Sequence, residues 1–147
     1  MRVLHILFFI LFSSHLYAKH TLVDVLVIGG GTSGVSAGIQ AAHMGVQTMI
    51  VEETPWLGGM ISAAGVSAFD GNHGIPSGIW RSFRSKLYKH YGSIENVSTG
   101  WVSNTLFEPH VADSILKQMA SNEPFLSIIY DCRFIQVIKQ ENQVIGA

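Results

Sequence analysis

The chain has 147 residues, 48% of them hydrophobic, a formal net charge of −1 and one cysteine, Cys132. That length suits one ordinary domain with a sizeable core. The near-neutral charge offers no nucleic-acid surface or acidic tail, and a single cysteine excludes an intrachain disulfide framework or a cysteine-rich metal site. The histidines are scattered. His43, His73, His90 and His110 fit no H-E-x-x-H spacing, so no metal centre is expected.

Residues 1–18, MRVLHILFFILFSSHLYA, read as a secretory signal. Arg2 gives a positive start, residues 6–12 an unbroken apolar run, and Ser13, Ser14 and Ala18 a small-residue exit. The run falls short of the ~18 apolar residues that spanning a bilayer takes. The expected mature chain therefore starts near Lys19. It is exported to the periplasm or the extracellular space and keeps no membrane span. An uncleaved anchor is the rival reading.

An apolar run over residues 23–28 predicts a buried parallel strand. It meets Gly29-Gly30-Gly31-Thr32-Ser33-Gly34, which fits G-x-G-x-x-G. A helix over 32–44 follows, with Val35, Ile39 and Ala42 on one face, then Gly45 as its stop and a second strand over 46–51. Glu52 stands at the end of that strand. In a βαβ unit of this form Gly29 permits the turn, Gly31 lets the backbone approach a pyrophosphate, and Gly34 lets the helix pack near the strand. The positive helix end faces the phosphates, and the acid at the end of the second strand meets ribose hydroxyls. Strand, turn, helix, strand and acid in this order point to dinucleotide binding. The plainer alternative is a βαβ unit with a tight turn and no ligand.

Pro55 ends the strand geometry, and Gly58-Gly59 supplies a second flexible backbone segment beside the first. Residues 61–78 read as a long loop holding Asp70 and His73. Catalysis through either is the weaker reading; a polar surface group is the stronger. A helix over 78–91 carries the stripe Ile79, Phe83, Leu87 and Tyr91 and stops at Gly92. Residues 93–106 read as irregular and contain the sequon Asn96-Val97-Ser98, meaningful in a eukaryotic secretory pathway. A third helix starts at Glu108-Pro109 with stripe Val111, Ile115 and Met119. A third strand covers 125–130, and residues 132–147 form two strands around a turn at Glu141-Asn142.

Assembled, these segments resemble the FAD-dependent oxidoreductases of the glutathione-reductase-like flavoproteins. More narrowly, they resemble the branch with heterodisulfide-reductase-like and polysaccharide-lyase-associated members. The likeness runs over residues 22–147 and rests on VDVLVIGGGTSGVSAGIQAAHMG, IVEE, WLGGMISAAG, FEPHVADSILKQMA and CRFIQVIKQENQVIGA. It implies an α/β, Rossmann-like FAD/NAD(P)-binding domain over residues 19–147: a parallel sheet with helices plus a β-hairpin or meander, incomplete at its C-terminus. Gly29, Gly31, Thr32, Ser33 and Gly34 would hold the pyrophosphate and Glu52 the adenosine ribose. Glu53, Gly58, Gly59 and Met60 would line the cofactor, and Phe134 would lie near the adenine. It implies FAD as cofactor and flavin-mediated redox of a small-molecule or saccharide-related substrate. Relatives run several hundred residues further, so the chain is expected to be an amino-terminal piece without a substrate domain, inactive alone. An NAD(P)-dependent dehydrogenase and a non-catalytic nucleotide-binding module are the alternatives. No catalytic side chain is named.

Overall fold

The structure, a computed structural model, describes residues 20–71, 74–98, 101, 103 and 105–147. The expected leader and His73 lie outside the described residues. The elements run β1 (Val25–Ile28), α1 (Thr32–His43), β2 (Thr48–Val51), a 3-10 turn (Gly59–Ile61), β3 (Ala68–Phe69), α2 (Gly78–Tyr91), β4 (Thr105–Leu106), α3 (Pro109–Ser121), β5 (Leu126–Ile129), β6 (Ile138–Gln140) and β7 (Gln143–Gly146).

β1, β2 and β5 form a parallel sheet in the order β1-β2-β5, so the second strand is central. In register, Val27 stands beside Ile50, and Ile50 beside Ile128. These side chains share the face that α1 covers. Gly38 brings α1 down onto it, because a Cβ there would lie 2.6 Å from Ile50 Cδ1. The core is built between this face and the helices. Val35 and Ile39 of α1, Phe83 and Leu87 of α2, and Val111, Ile115, Leu116 and Met119 of α3 meet Leu57 and Ile61 there. The three helical stripes expected from i, i+4 spacing are the faces that enter this core.

β1 is not the buried strand that its apolar run predicts. It lies at the sheet edge, and Leu26 and Ile28 are exposed together with Ile129 on β5. The run is apolar on both faces, but among the described residues the helices pack on one. β2 alone is buried along most of its length.

The expected loop over 61–78 also needs correction. It opens inside the 3-10 turn and contains β3, which pairs antiparallel with β4 from the stretch expected to be irregular. Two-residue strands carry no periodicity to read. What fixes them is Phe69, whose ring packs 4.7 Å from Trp80, 5.8 Å from Phe83 and 5.7 Å from Phe107.

Gly92 ends α2 with φ +88. Asn96 is exposed, and its Nδ2 donates to the Tyr91 carbonyl at 2.6 Å, satisfying a helix-end acceptor. Pro109 opens α3 with Glu108 as N-cap. The Glu108 N–H donates to Tyr91 Oη at 2.9 Å, joining the end of α2 to the start of α3. β6 and β7 form the expected antiparallel hairpin, with Glu141 at φ +53 in its turn.

Candidate functional site

The site lies at the carboxyl ends of β1 and β2, where an open α/β sheet places its ligands. β1 leaves the sheet through Gly29, which sits at φ +95, where a glycine has no Cβ to clash. Its N–H donates to the Val51 carbonyl at 2.8 Å, so the turn begins while still tied to β2. A Cβ on Gly34 would lie 1.9 Å from the Gly29 carbonyl oxygen. The helix can enter this close to the strand only with glycine there. A Cβ on Gly31 would meet nothing within 4 Å. Its backbone therefore faces open space, as close approach of a ligand requires. Gly31 is also the N-cap of α1, and no side chain caps that helix. The first-turn amides, those of Thr32 and Ser33 among them, stand at the positive end of the helix, suited to an anion.

The second glycine pair is brought onto the first. The Gly58 N–H donates to the Gly30 carbonyl at 2.8 Å, and Gly31 and Gly58 form a parallel bridge. The Thr32 hydroxyl donates to the Gly58 carbonyl at 2.8 Å, so it braces the two loops. Gly58 has φ +113, and a Cβ on Gly59 would sit 3.0 Å from Gly31 Cα. Met60 is exposed beside them.

Glu52 links these parts. Its Oε2 accepts from the Gly30 N–H at 2.6 Å, and its Oε1 accepts from the Thr54 N–H at 2.9 Å and the Thr54 hydroxyl at 2.7 Å. Burial pushes its pKa up. The hydrogen bonds from Thr54 and Gly30 outweigh that, and the carboxyl is held below its ordinary 4.5. The acid expected to meet a ribose thus also pins the glycine turn to the end of β2. Glu53 is exposed, with its Oε2 3.4 Å from Arg133 Nη2. The Cys132 N–H donates to the Glu52 carbonyl at 3.1 Å, which brings the segment after β5 to the same end of the sheet. Phe134 follows in that irregular segment and is exposed.

Asp70 is not gathered here. It lines a small hollow of about 230 Å³ with Phe69, Gly71, Ile75 and Trp80. Gly30, Thr54 and two residues of α3, Asp113 and Lys117, do join the site's framework and were not singled out from the sequence. Asp113 carried a signal: it is a carboxylate between the apolar positions Ala112 and Ile115.

A family model described as FAD dependent oxidoreductase matches residues 24–147. The chain belongs to the FAD-dependent oxidoreductase family. FAD is therefore the cofactor, which decides against a nicotinamide reading of the same fingerprint. The chain is similar to 3-oxosteroid 1-dehydrogenase of Mycolicibacterium smegmatis, 38% identical over 52 residues, 35% of this chain and 9% of that protein. The match thus spans under a tenth of that relative's length. Its fold is that of THI4 from Thermovibrio ammonificans (TM-score 0.54, 20% identity, 99% of this chain and 50% of that one). It is also that of the flavin-dependent monooxygenase PieE, solved with FAD and substrate (TM-score 0.58, 15% identity, 84% of this chain and 26% of that one). The residues present fit the cofactor. The open backbone at Gly31 and the uncapped α1 suit a pyrophosphate, and Glu52 is a carboxylate at the required strand end. Among the described residues no helix is long and apolar enough to cross a membrane.

Proposed function

We propose that this protein is a flavin-dependent oxidoreductase acting on a small-molecule substrate, with its cofactor in the crevice above β1 and β2. The observation that carries the reading is the open backbone surface at Gly31, at the mouth of the uncapped α1 and one residue from the Gly30–Glu52 bond. In this reading Gly31, Thr32, Ser33 and Gly34 hold the pyrophosphate through backbone N–H groups, and Gly29, whose own N–H is given to the Val51 carbonyl, shapes the turn that presents them. Glu52 orients the adenosine ribose with the lone pairs that Gly30 and Thr54 leave. Gly58, Gly59 and Met60 flank the cofactor on one side, and Glu53 and Phe134 on the other. The bound flavin supplies the electron transfer, and the protein supplies its orientation and access. The finer likeness to glutathione-reductase-like flavoproteins, and to the heterodisulfide-reductase-like and polysaccharide-lyase-associated branch, belongs to this proposal. The second glycine pair after the acid supports it.

The test is purification with an oxidised-flavin absorbance spectrum, followed by FAD titration of apoprotein by flavin fluorescence. Binding at one site per chain supports the reading. Binding of NAD(P)H with no flavin would overturn it. Reduction of a dye by candidate donors separates an enzyme from a non-catalytic nucleotide-binding module. The apolar sheet face of Leu26, Ile28 and Ile129 supports the further reading that these residues are the amino-terminal part of a longer flavoprotein, since parallel sheets are ordinarily covered on both faces. Export rests on the leader alone, and amino-terminal sequencing that returns Lys19 would support it.

A further inference from the structure

We propose that Asp113 and Lys117 of α3 are positioning residues for the cofactor, acting as a polar clamp on the segment that carries Gly58 and Gly59. The proposal rests on the FAD reading of the crevice. Asp113 lies on the helix face that enters the core, beside Ala112 and Leu116, and is 9% exposed. A carboxylate in such a place is costly unless paired. It is tied to the segment between Glu52 and the 3-10 turn, directly and through Lys117 of its own helix. Oδ1 accepts from the Leu57 N–H at 2.7 Å. Oδ2 lies 2.9 Å from Lys117 Nζ, and that ammonium donates to the Pro55 carbonyl at 2.6 Å.

One turn of α3 thus grips an N–H and a C=O two residues apart on a stretch that is itself neither strand nor helix. Tyr130 closes the arrangement beneath, with its ring 5.3 Å from Lys117 Nζ. On the other side the same stretch is held by the Gly58–Gly30 and Thr32–Gly58 bonds. The gap between the two glycine loops is set by both supports. A satisfied core aspartate would serve stability alone. This one is aimed at the backbone one residue before Gly58.

The test uses the full chain and two readouts. In apoprotein, amide hydrogen exchange at Leu57 and Gly58 should speed up tenfold or more in Asp113→Ala. Lys117→Met should give a smaller rise, and Asp113→Asn, which keeps an acceptor for Leu57, should largely restore protection. In FAD titrations, Asp113→Ala and Lys117→Met should weaken affinity at least tenfold and about threefold, while Asp113→Asn falls between. Ile115→Val, a core change on the same helix, should lower stability and leave both readouts unchanged. Unchanged exchange in Asp113→Ala, or equal changes in Ile115→Val, would overturn the clamp. Faster exchange with undiminished FAD affinity would overturn its role in cofactor positioning. A wild-type chain that fails to bind FAD would instead overturn the cofactor reading, and the exchange result would still decide the clamp.

Discussion

Two glycines three residues apart fail for opposite reasons when given a side chain. Gly31 has φ −63 and ψ 177, ordinary extended backbone, and a Cβ there meets only open space. Gly31→Val should fold, losing about 1 kcal/mol as a poorer N-cap, and should fail to retain FAD. Gly34→Val should instead fold poorly or not at all, since its Cβ lands on the Gly29 carbonyl oxygen. Circular dichroism and flavin content of the two purified variants check this pair. Glu52 has two tasks, and both can be measured. Glu52→Ala leaves the buried Gly30 N–H without its acceptor, at a cost of about 1–3 kcal/mol in the apoprotein. It also removes a charged acceptor for the ribose, so FAD affinity should fall about tenfold or more, worth roughly 1.5–3 kcal/mol. Because the folded carboxyl is held below its ordinary 4.5, its stabilisation is present above that value and fades as pH drops through the lower, folded one. The stability gap between wild type and Glu52→Gln, from urea unfolding across acid pH, should shrink in that direction. A gap that stays constant would remove Glu52 from the hydrogen-bonded role.

At the scale of elements, the close seating of α1 on β2 is the feature most open to test. A Cβ on Gly38 would stand 2.6 Å from Ile50 Cδ1 and 2.8 Å from its Cγ1. Overpacking of this kind costs about 1–3 kcal/mol. Alanine recovers about 1 kcal/mol of helix propensity over glycine. The packing loss should win, leaving Gly38→Ala destabilised by up to about 2 kcal/mol. Ile50→Val removes Cδ1, the closer of the two contacts, and frees the side chain to shift. The double variant should therefore be more stable than the sum of the single losses by at least about 0.5 kcal/mol. Additive losses in urea unfolding would contradict this account of the interface.

For the whole molecule, the decisive fact is an asymmetry of cover. The helices bury one sheet face, while Leu26, Ile28 and Ile129 on the other are exposed, as are Ile138, Val144 and Ile145 of the hairpin. Apolar surface of this extent, with a sheet edge at β1, favours association. The purified chain should bind a hydrophobic dye and sediment in a concentration-dependent way. Leu26→Thr with Ile129→Thr should reduce both effects. An unchanged dye signal in that variant would move the sticky surface elsewhere, to the hairpin.

Much of the α/β plan was legible in the residues themselves. The periods of α1, α2 and α3, the stops at Gly45 and Gly92, the Pro109 start and the Glu141 turn are local signals, set by backbone sterics and helix periodicity within a few neighbours. The glycine turn and the acid at the end of β2 were legible for the same reason, because one βαβ unit fixes their spacing. What the sequence left open depends on residues far apart in the chain. The edge position of β1 follows from β2 pairing with β5 on its other side, and the exposure of Leu26 and Ile28 from which sheet face the helices cover. β3 and β4 exist because Phe69 finds Trp80, Phe83 and Phe107. Asp70 has the composition of a site residue and packs by an aromatic hollow instead. Asp113, read one residue at a time, is an odd acid on an apolar stripe. Only the packing of α3 against residues 55–57 gives its carboxylate a backbone to hold, since the cost of burying that charge is met by partners some 56 residues away in sequence.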